Sequence, residues 1–116
     1  MTVRNPTVRL LHMLDYSKKA IAMVEKETRA SLDTDEKLFL ALTRLVELIG
    51  EAASHVPLEI QEKYPEIAWI KIVNMRHRLI HGYDSVDHDI LWDTITLNLP
   101  ELARQLENIL QDPKIQ

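Results

Sequence analysis

Two arginines, two histidines and a tyrosine crowd into eight residues, Arg76-His77-Arg78-Leu79-Ile80-His81-Gly82-Tyr83. Cleaving RNA without a metal ion calls for groups of this kind. A base takes the proton from the 2′-hydroxyl, an acid protonates the leaving oxygen, and a cation stabilises the crowded phosphate. Histidine titrates near neutrality and can serve as base or acid. Arginine offers a fixed fork of donors matched to phosphate oxygens and stays charged. Tyrosine can hydrogen-bond a phosphate or stack on a base. Arg76 and His81 are therefore the candidate catalytic pair, with His77, Arg78 and the nearby Lys71 as auxiliary substrate contacts.

Helix geometry constrains that reading. Five residues separate Arg76 from His81, about 140° around an ideal helix and ~7.5 Å along it, so the two do not share a face. A long arginine side chain curling toward the helix end could join them, or a second subunit could complete the site. Gly82 suits a helix terminus and would leave His81 in the last turn. There the macrodipole favours an imidazolium, the state a general acid needs. A two-fold dimer with the tract at its interface would supply a second copy of every group. His77 is the other source of a second histidine.

Plainer readings compete. His77 and His81, four apart, could bind a metal, but no carboxylate or third histidine joins them and Arg76 and Arg78 would repel a cation. No metal or cofactor is expected. Arg78 and Tyr83 could be surface residues. Trp69 and Trp92 suit core or interface anchors better than base-stacking platforms. His12, His55 and His88 read as structural or surface residues, and Asp84, Asp87 and Asp89 as loop or cap acids.

The rest of the chain frames the tract. At 116 residues it has the size of one domain, here residues 1–116. Its 46% hydrophobic and 28% charged composition is that of an ordinary globular protein. The absence of cysteine excludes disulfides, thiolate metal sites and cysteine nucleophiles. No signal-peptide core or membrane-length apolar run is legible, and a cytoplasmic location is expected. A net charge of −4 argues against a protein that coats nucleic acid. Yet residues 69–83 hold three cations and no acid, which suggests a local anion site.

Apolar spacing predicts helices throughout. Asn5-Pro6 opens the first, at about residues 6–30, with Leu10, Leu14, Ile21 and Val24 inward. Asp33 with Glu36 resembles a capping box for the second, which carries Leu38 through Ala53 to about Ser54. Small residues at Gly50, Ala52 and Ala53 would let a neighbour approach closely, or simply cost some stability. Pro57 and Pro65 bracket a short helix or turn. Another helix runs from about Glu66 into the tract. Asp87 caps the last, striped by Leu91, Ile95, Leu99, Leu102, Leu106 and Ile109 and kinked by Pro100. The expected fold is all-α: an antiparallel bundle of four main helices plus a short one.

Arg76-x4-His81-x-Tyr83 resembles the Arg-x4-His-x-Tyr signature of the HepT-like toxins, a branch of the HEPN superfamily of all-helical ribonucleases. The likeness extends to Leu48-Ile49-Gly50-Glu51-Ala52-Ala53 and Tyr64-Pro65-Glu66-Ile67-Ala68-Trp69 before the motif. Val86-Asp87, Ile90-Leu91-Trp92 and Leu99-Pro100-Glu101-Leu102 follow it. The resemblance implies a homodimer with a cleft on the two-fold axis, and metal-independent RNA cleavage as the toxin of a toxin–antitoxin pair. It also implies a partner antitoxin, an MntA-type nucleotidyltransferase that transfers AMP to the motif tyrosine, matched here by Tyr83. A linked nucleotide would add negative charge beside Arg76 and His81, where the RNA phosphate belongs. Two positions depart from the family pattern: His77 stands where Asn or Asp usually follows the arginine, and Asn74 where glycine is common. A non-catalytic module that partners a nucleotidyltransferase and presents nucleotide or RNA is the main alternative. A purely structural helical dimer would leave the acid-free cationic tract unexplained.

Overall fold

A computed structural model describes residue 5, residues 7–81 with the side chain of His81 excepted, and residues 85–115. Among the described residues the fold is all-α apart from one very short hairpin. Helix α1 spans Thr7–Val24, and buries Leu10, Met13, Ser17, Ala20 and Val24, a three-four-three-four spacing that forms one stripe. Asn5 opens it as expected, its Oδ1 accepting from the backbone N–H and hydroxyl of Thr7. The helix stops at Val24, short of the expected residue 30, because Glu25 to Ala30 carries no residue of the stripe.

Helix α2 is a single turn, Ser31–Thr34, and α3 spans Glu36–Ser54. The cap of α3 is Asp35, whose carboxylate accepts from the backbone N–H of Leu38 at 3.1 Å. Asp33 was the expected cap. It faces sideways instead, taking a 3.1 Å bond from Arg29 and contacting His88 Nδ1 at 2.7 Å. Arg29 also bonds Asp89 at 2.6 Å, so this cluster ties the α2 region to the start of the last helical run. Both neighbours hold the Asp33 carboxyl below the usual range, the His88 contact first and the Arg29 bond second. His88 also stacks on Phe39 with ring centroids 4.2 Å apart, so it is a bridging residue and not an isolated one.

Short helices α4 (Leu58–Lys63), α5 (Trp69–Val73) and α6 (Met75–Leu79) follow. Strand β1 (Ile80–His81) pairs antiparallel with β2 (Ser85–Val86), in the register Ile80 to Val86 and His81 to Ser85. Helix α7 (His88–Asp93) is capped as expected by Asp87, whose carboxylate accepts from the N–H of Ile90 at 3.0 Å. Asp87→Ala should cost about 1 kcal/mol, read as a lower urea midpoint at unchanged m-value.

A π turn, Thr94–Asn98, joins α7 to α8, Leu99–Leu110. Pro100 explains it. Within an α-helix the proline ring would strike the carbonyl four residues back and leave that carbonyl without its donor. Here the ladder widens, so that Leu99 N–H bonds Thr94 O, and the hydroxyls of Thr94 and Thr96 bond the carbonyls of Ile90 and Trp92 at 2.7 Å. The expected kink is thus a widened turn. All six residues of the predicted stripe are buried.

Helix α1 packs along both α3 and α8, and α3 also holds α5 and α6. One continuous cluster, running from Leu10 through Leu42, Ile49, Leu79 and Leu91 to Ile115, fills the space between them. The C-terminal turn clamps the segment leading to the motif. Tyr64 donates its hydroxyl to Asp112 at 2.7 Å, and Trp69 donates its indole N–H to the carbonyl of Tyr64 at 3.0 Å. Burial first, and the Asp112 bond second, push the Tyr64 hydroxyl up to about 12. Its stabilising effect is therefore full below pH 10 and is lost as pH rises through about 12. Asp112, held below the usual range chiefly by the Lys114 backbone N–H and then by Tyr64, contributes above about pH 4 and loses this at lower pH. Tyr64→Phe should remove the alkaline part of this dependence, measurable as the fall in melting temperature between pH 8 and 12.

Candidate active site

Motif residues begin at a break in the helix. Asn74 sits at φ −92° and ψ 9°, ending α5 and starting α6, and its carbonyl accepts from the N–H groups of His77 and Arg78 at 3.0 and 3.2 Å. Met75 and Leu79, four apart, anchor α6 in the core. The three basic residues between them, Arg76, His77 and Arg78, point outward and are exposed. Among the described residues none of Lys71, Arg76 and Arg78 has a carboxylate within ion-pair distance.

The expected continuous helix to Gly82 is not what forms. Helix α6 ends at Leu79, Ile80 turns extended at φ −75° and ψ 122°, and His81 pairs through its backbone with Ser85. Asp87 N–H then bonds Leu79 O at 2.6 Å, which fastens the hairpin to the helix end. β-branched Ile80 and Val86 facing each other favour this pairing. His81 is therefore not in a last helical turn, and the macrodipole argument for its protonated state does not apply. Three helical steps and two extended ones place it roughly 11 Å of chain from Arg76. The side chain of His81 and the whole of Gly82, Tyr83 and Asp84 lie outside the described residues.

The exposed cations divide between two cavities. Arg76 and His77 line one of about 170 Å³, together with Glu47, Glu51, Ser54 and Asn74. Lys71 and Arg78 line another of about 190 Å³, walled by Ile72, Met75, Leu99 and Leu102 and edged by polar groups of the π turn and α8. Of the auxiliary residues proposed from sequence, His77 therefore shares the cavity of Arg76, while Lys71 and Arg78 lie in the other. Glu47 and Glu51 are already engaged, by Arg44 at 3.7 Å and His55 at 3.0 Å. Arg76 is therefore without an ion-pair partner among the described residues. Among the described residues no group of three His, Asp or Glu side chains is placed to hold a metal.

Gly50 explains how α3 reaches this site. A Cβ there would meet the carbonyl oxygen of Ile72 at 3.0 Å and that of Val73 at 3.4 Å. The small-residue expectation thus holds as a close approach of α3 to the end of α5, beside the Asn74 break. Glu47, Glu51 and Ser54 were not singled out from the sequence. Their positions within four residues of a contact glycine were the available signal.

The profile of the family described as Ribonuclease HepT-like matches residues 13–109. This chain belongs to the HepT-like family. Among similar proteins, one named "Putative RNase" from Caldanaerobacter subterraneus is 36% identical over 97% of this chain and 100% of its own length. Another "Putative RNase", from Methanocaldococcus jannaschii, is 31% identical over 97% of this chain and 93% of its own. The "Probable ribonuclease HepT" of Thermococcus cleftensis is 35% identical over 83% of this chain and 91% of its own. No solved structure matches the chain. The HepT-like chain has no helix among its described residues long and apolar enough to cross a membrane.

Proposed function

We propose that this HepT-like chain is a metal-independent ribonuclease, with Arg76 and His81 as its catalytic residues and His77, Arg78 and Lys71 as substrate contacts. The observation that carries the reading is Arg76, exposed without an ion-pair partner among the described residues and five residues before a histidine, in a chain of this family. Arg76 receives the scissile phosphate, and its fork stabilises the charge that builds in the transition state. His81 transfers one proton, and a second histidine completes the acid–base pair. His77 or a second copy of His81 supplies it, the latter across a homodimer. Leu58 and Ile70, 68% and 78% exposed beside a groove next to Lys71, support self-association.

The control proposed with this activity is a toxin–antitoxin one. A cognate MntA-type nucleotidyltransferase transfers AMP to Tyr83, placing a phosphodiester near the groups that would otherwise hold RNA phosphate. The whole of residues 1–116 acts as one domain in this scheme, in the cytoplasm, with no cofactor of its own. The test is to incubate purified, unmodified protein with total RNA in EDTA. Fragments are expected. Intact RNA would favour the module that presents nucleotide or RNA without cutting it. After incubation with a cognate nucleotidyltransferase and ATP, peptide mass spectrometry should find the added mass on Tyr83, and a modification mapping elsewhere would overturn the switch.

A further inference from the structure

We infer that the cavity holding Lys71 and Arg78 is a subsite for an unstacked guanine of the RNA substrate, separate from the cavity that holds Arg76. Its identity as an RNA subsite rests on the ribonuclease reading above. The cavity lies between α5–α6 on one side and the π turn and α8 on the other, and its floor is apolar: Ala68, Ile72, Met75, Leu99 and Leu102. At about 190 Å³ it is smaller than the roughly 300–1,000 Å³ of a small-molecule site. That is room for part of a ligand, such as one base of a longer strand.

The rim is what selects the base. Arg78, Lys71, Glu66, Glu101, Asn98 and Gln105 share this rim, yet no cation–carboxylate pair forms across it among the described residues. Glu101 turns instead to Arg104 at 3.6 Å, and Gln105 donates to the backbone carbonyl of Glu66 at 3.1 Å. Glu66 and Arg78, an acceptor and a donor fork, line one cavity with no ion pair between them among the described residues. Guanine is the base that offers complements to both. Its N1–H and N2–H donate side by side, matched to a carboxylate, and its O6 and N7 accept side by side, matched to a guanidinium. The apolar floor suits its ring face. Lys71 at the mouth supplies a point charge for the adjoining phosphate. The π turn contributes as well, since Asn98, its last residue, lines the cavity.

The test uses the full chain carrying His81→Ala, so that cleavage does not disturb binding, and fluorescein-labelled RNA hexamers. Anisotropy should show a uridine hexamer with one central guanosine binding about 10-fold tighter than all-uridine RNA, with inosine, which lacks the 2-amino group, in between. Adding Glu66→Gln or Arg78→Met should bring the guanosine preference to within about twofold. Both residues are exposed, so melting curves should stay close to the parent. Equal affinity for all hexamers, a preference that both substitutions leave intact, or no binding at millimolar RNA would each overturn the subsite. Failure of the two readings can be told apart. Guanosine-selective binding by a protein that never cuts RNA keeps the subsite and sinks the nuclease, whereas cutting by the His81-bearing chain without selective binding does the reverse.

Discussion

His81→Ala is expected to slow RNA cleavage by about 10²–10⁴-fold, the usual contribution of a positioned acid or base. Arg76→Ala should cost about 10²–10³-fold, the loss of one preorganised donor to developing charge. Among the described residues no carboxylate pairs with Arg76. Glu47 and Glu51 border the same cavity but lean on Arg44 and His55, and neither pairs with the guanidinium. It is exposed and packs no core, so its removal should shift stability by no more than about 0.5 kcal/mol. His77→Ala should fall between Arg76→Ala and the unaltered enzyme if a second copy of His81 is the partner acid or base. It should equal His81→Ala if His77 itself is. Single-turnover rates on a defined RNA, with melting curves beside them, separate these outcomes. Full activity in both Arg76→Ala and His81→Ala would remove the site assignment.

The second large effect belongs to a residue without a side chain, Gly50, which borders the Arg76 cavity. Gly50→Ala gains about 1 kcal/mol of helix propensity but places a methyl group 3.0 Å from the Ile72 carbonyl oxygen. Overpacking of this kind costs about 1–3 kcal/mol, and the neighbour is helix backbone at the end of α5, which cannot swing aside as a side-chain tip would. The contact should win. The expected result is a melting temperature lower by roughly 4 °C, and more for Gly50→Val. Activity should fall further than stability. Pushing α5 away from α3 moves the Asn74 break from which Arg76 projects, and a displacement of about 1 Å at a reacting group costs up to about 10²-fold. A Gly50→Ala protein more stable than the parent would show that α5 yields, and the positioning argument would fail with it.

Much of this architecture was legible because one signal, apolar periodicity, decides it. The stripe of the α7–α8 run is buried as read, those of α1 and α3 are buried in part, with Leu14, Ile21 and Leu45 only half-buried, and Asn5 and Asp87 cap as read. Helix ends were less legible. Asp33 and Asp35 are both plausible caps, and the choice fell to a long-range partner, because Arg29 and His88 occupy Asp33. The end of the motif helix was misread for a similar reason. Gly82 marks a terminus by local rules, but pairing of Ile80 with Val86 and the Asp87 to Leu79 bond stop the helix at Leu79.

Within the site, the sequence marked the cations but not their division. Lys71 and Arg78, seven apart, fall on the α8 side of the motif helices, while Arg76 and His77 face α3. Which neighbour stands on which side is a tertiary fact that no local pattern carries. The same holds for the π turn. Pro100 announced a disturbance of the last helix, but not that the ladder would widen, with Leu99 N–H reaching back to Thr94 O.

The most direct test of a histidine-driven, metal-independent cut at the Arg76–His81 tract is the chemistry of the ends it leaves. If a base takes the 2′-hydroxyl proton, the 2′-oxygen displaces the 5′-oxygen of the next nucleotide. Mass spectrometry of the fragments made in EDTA should then find a 2′,3′-cyclic phosphate on one piece and a 5′-hydroxyl on the other. A 2′-deoxy substitution at the scissile nucleotide should stop the cut, and Arg76→Ala and His81→Ala proteins should yield almost none of these ends. Fragments ending in 5′-phosphate and 3′-hydroxyl, or cleavage appearing only when a divalent cation is restored, would contradict it.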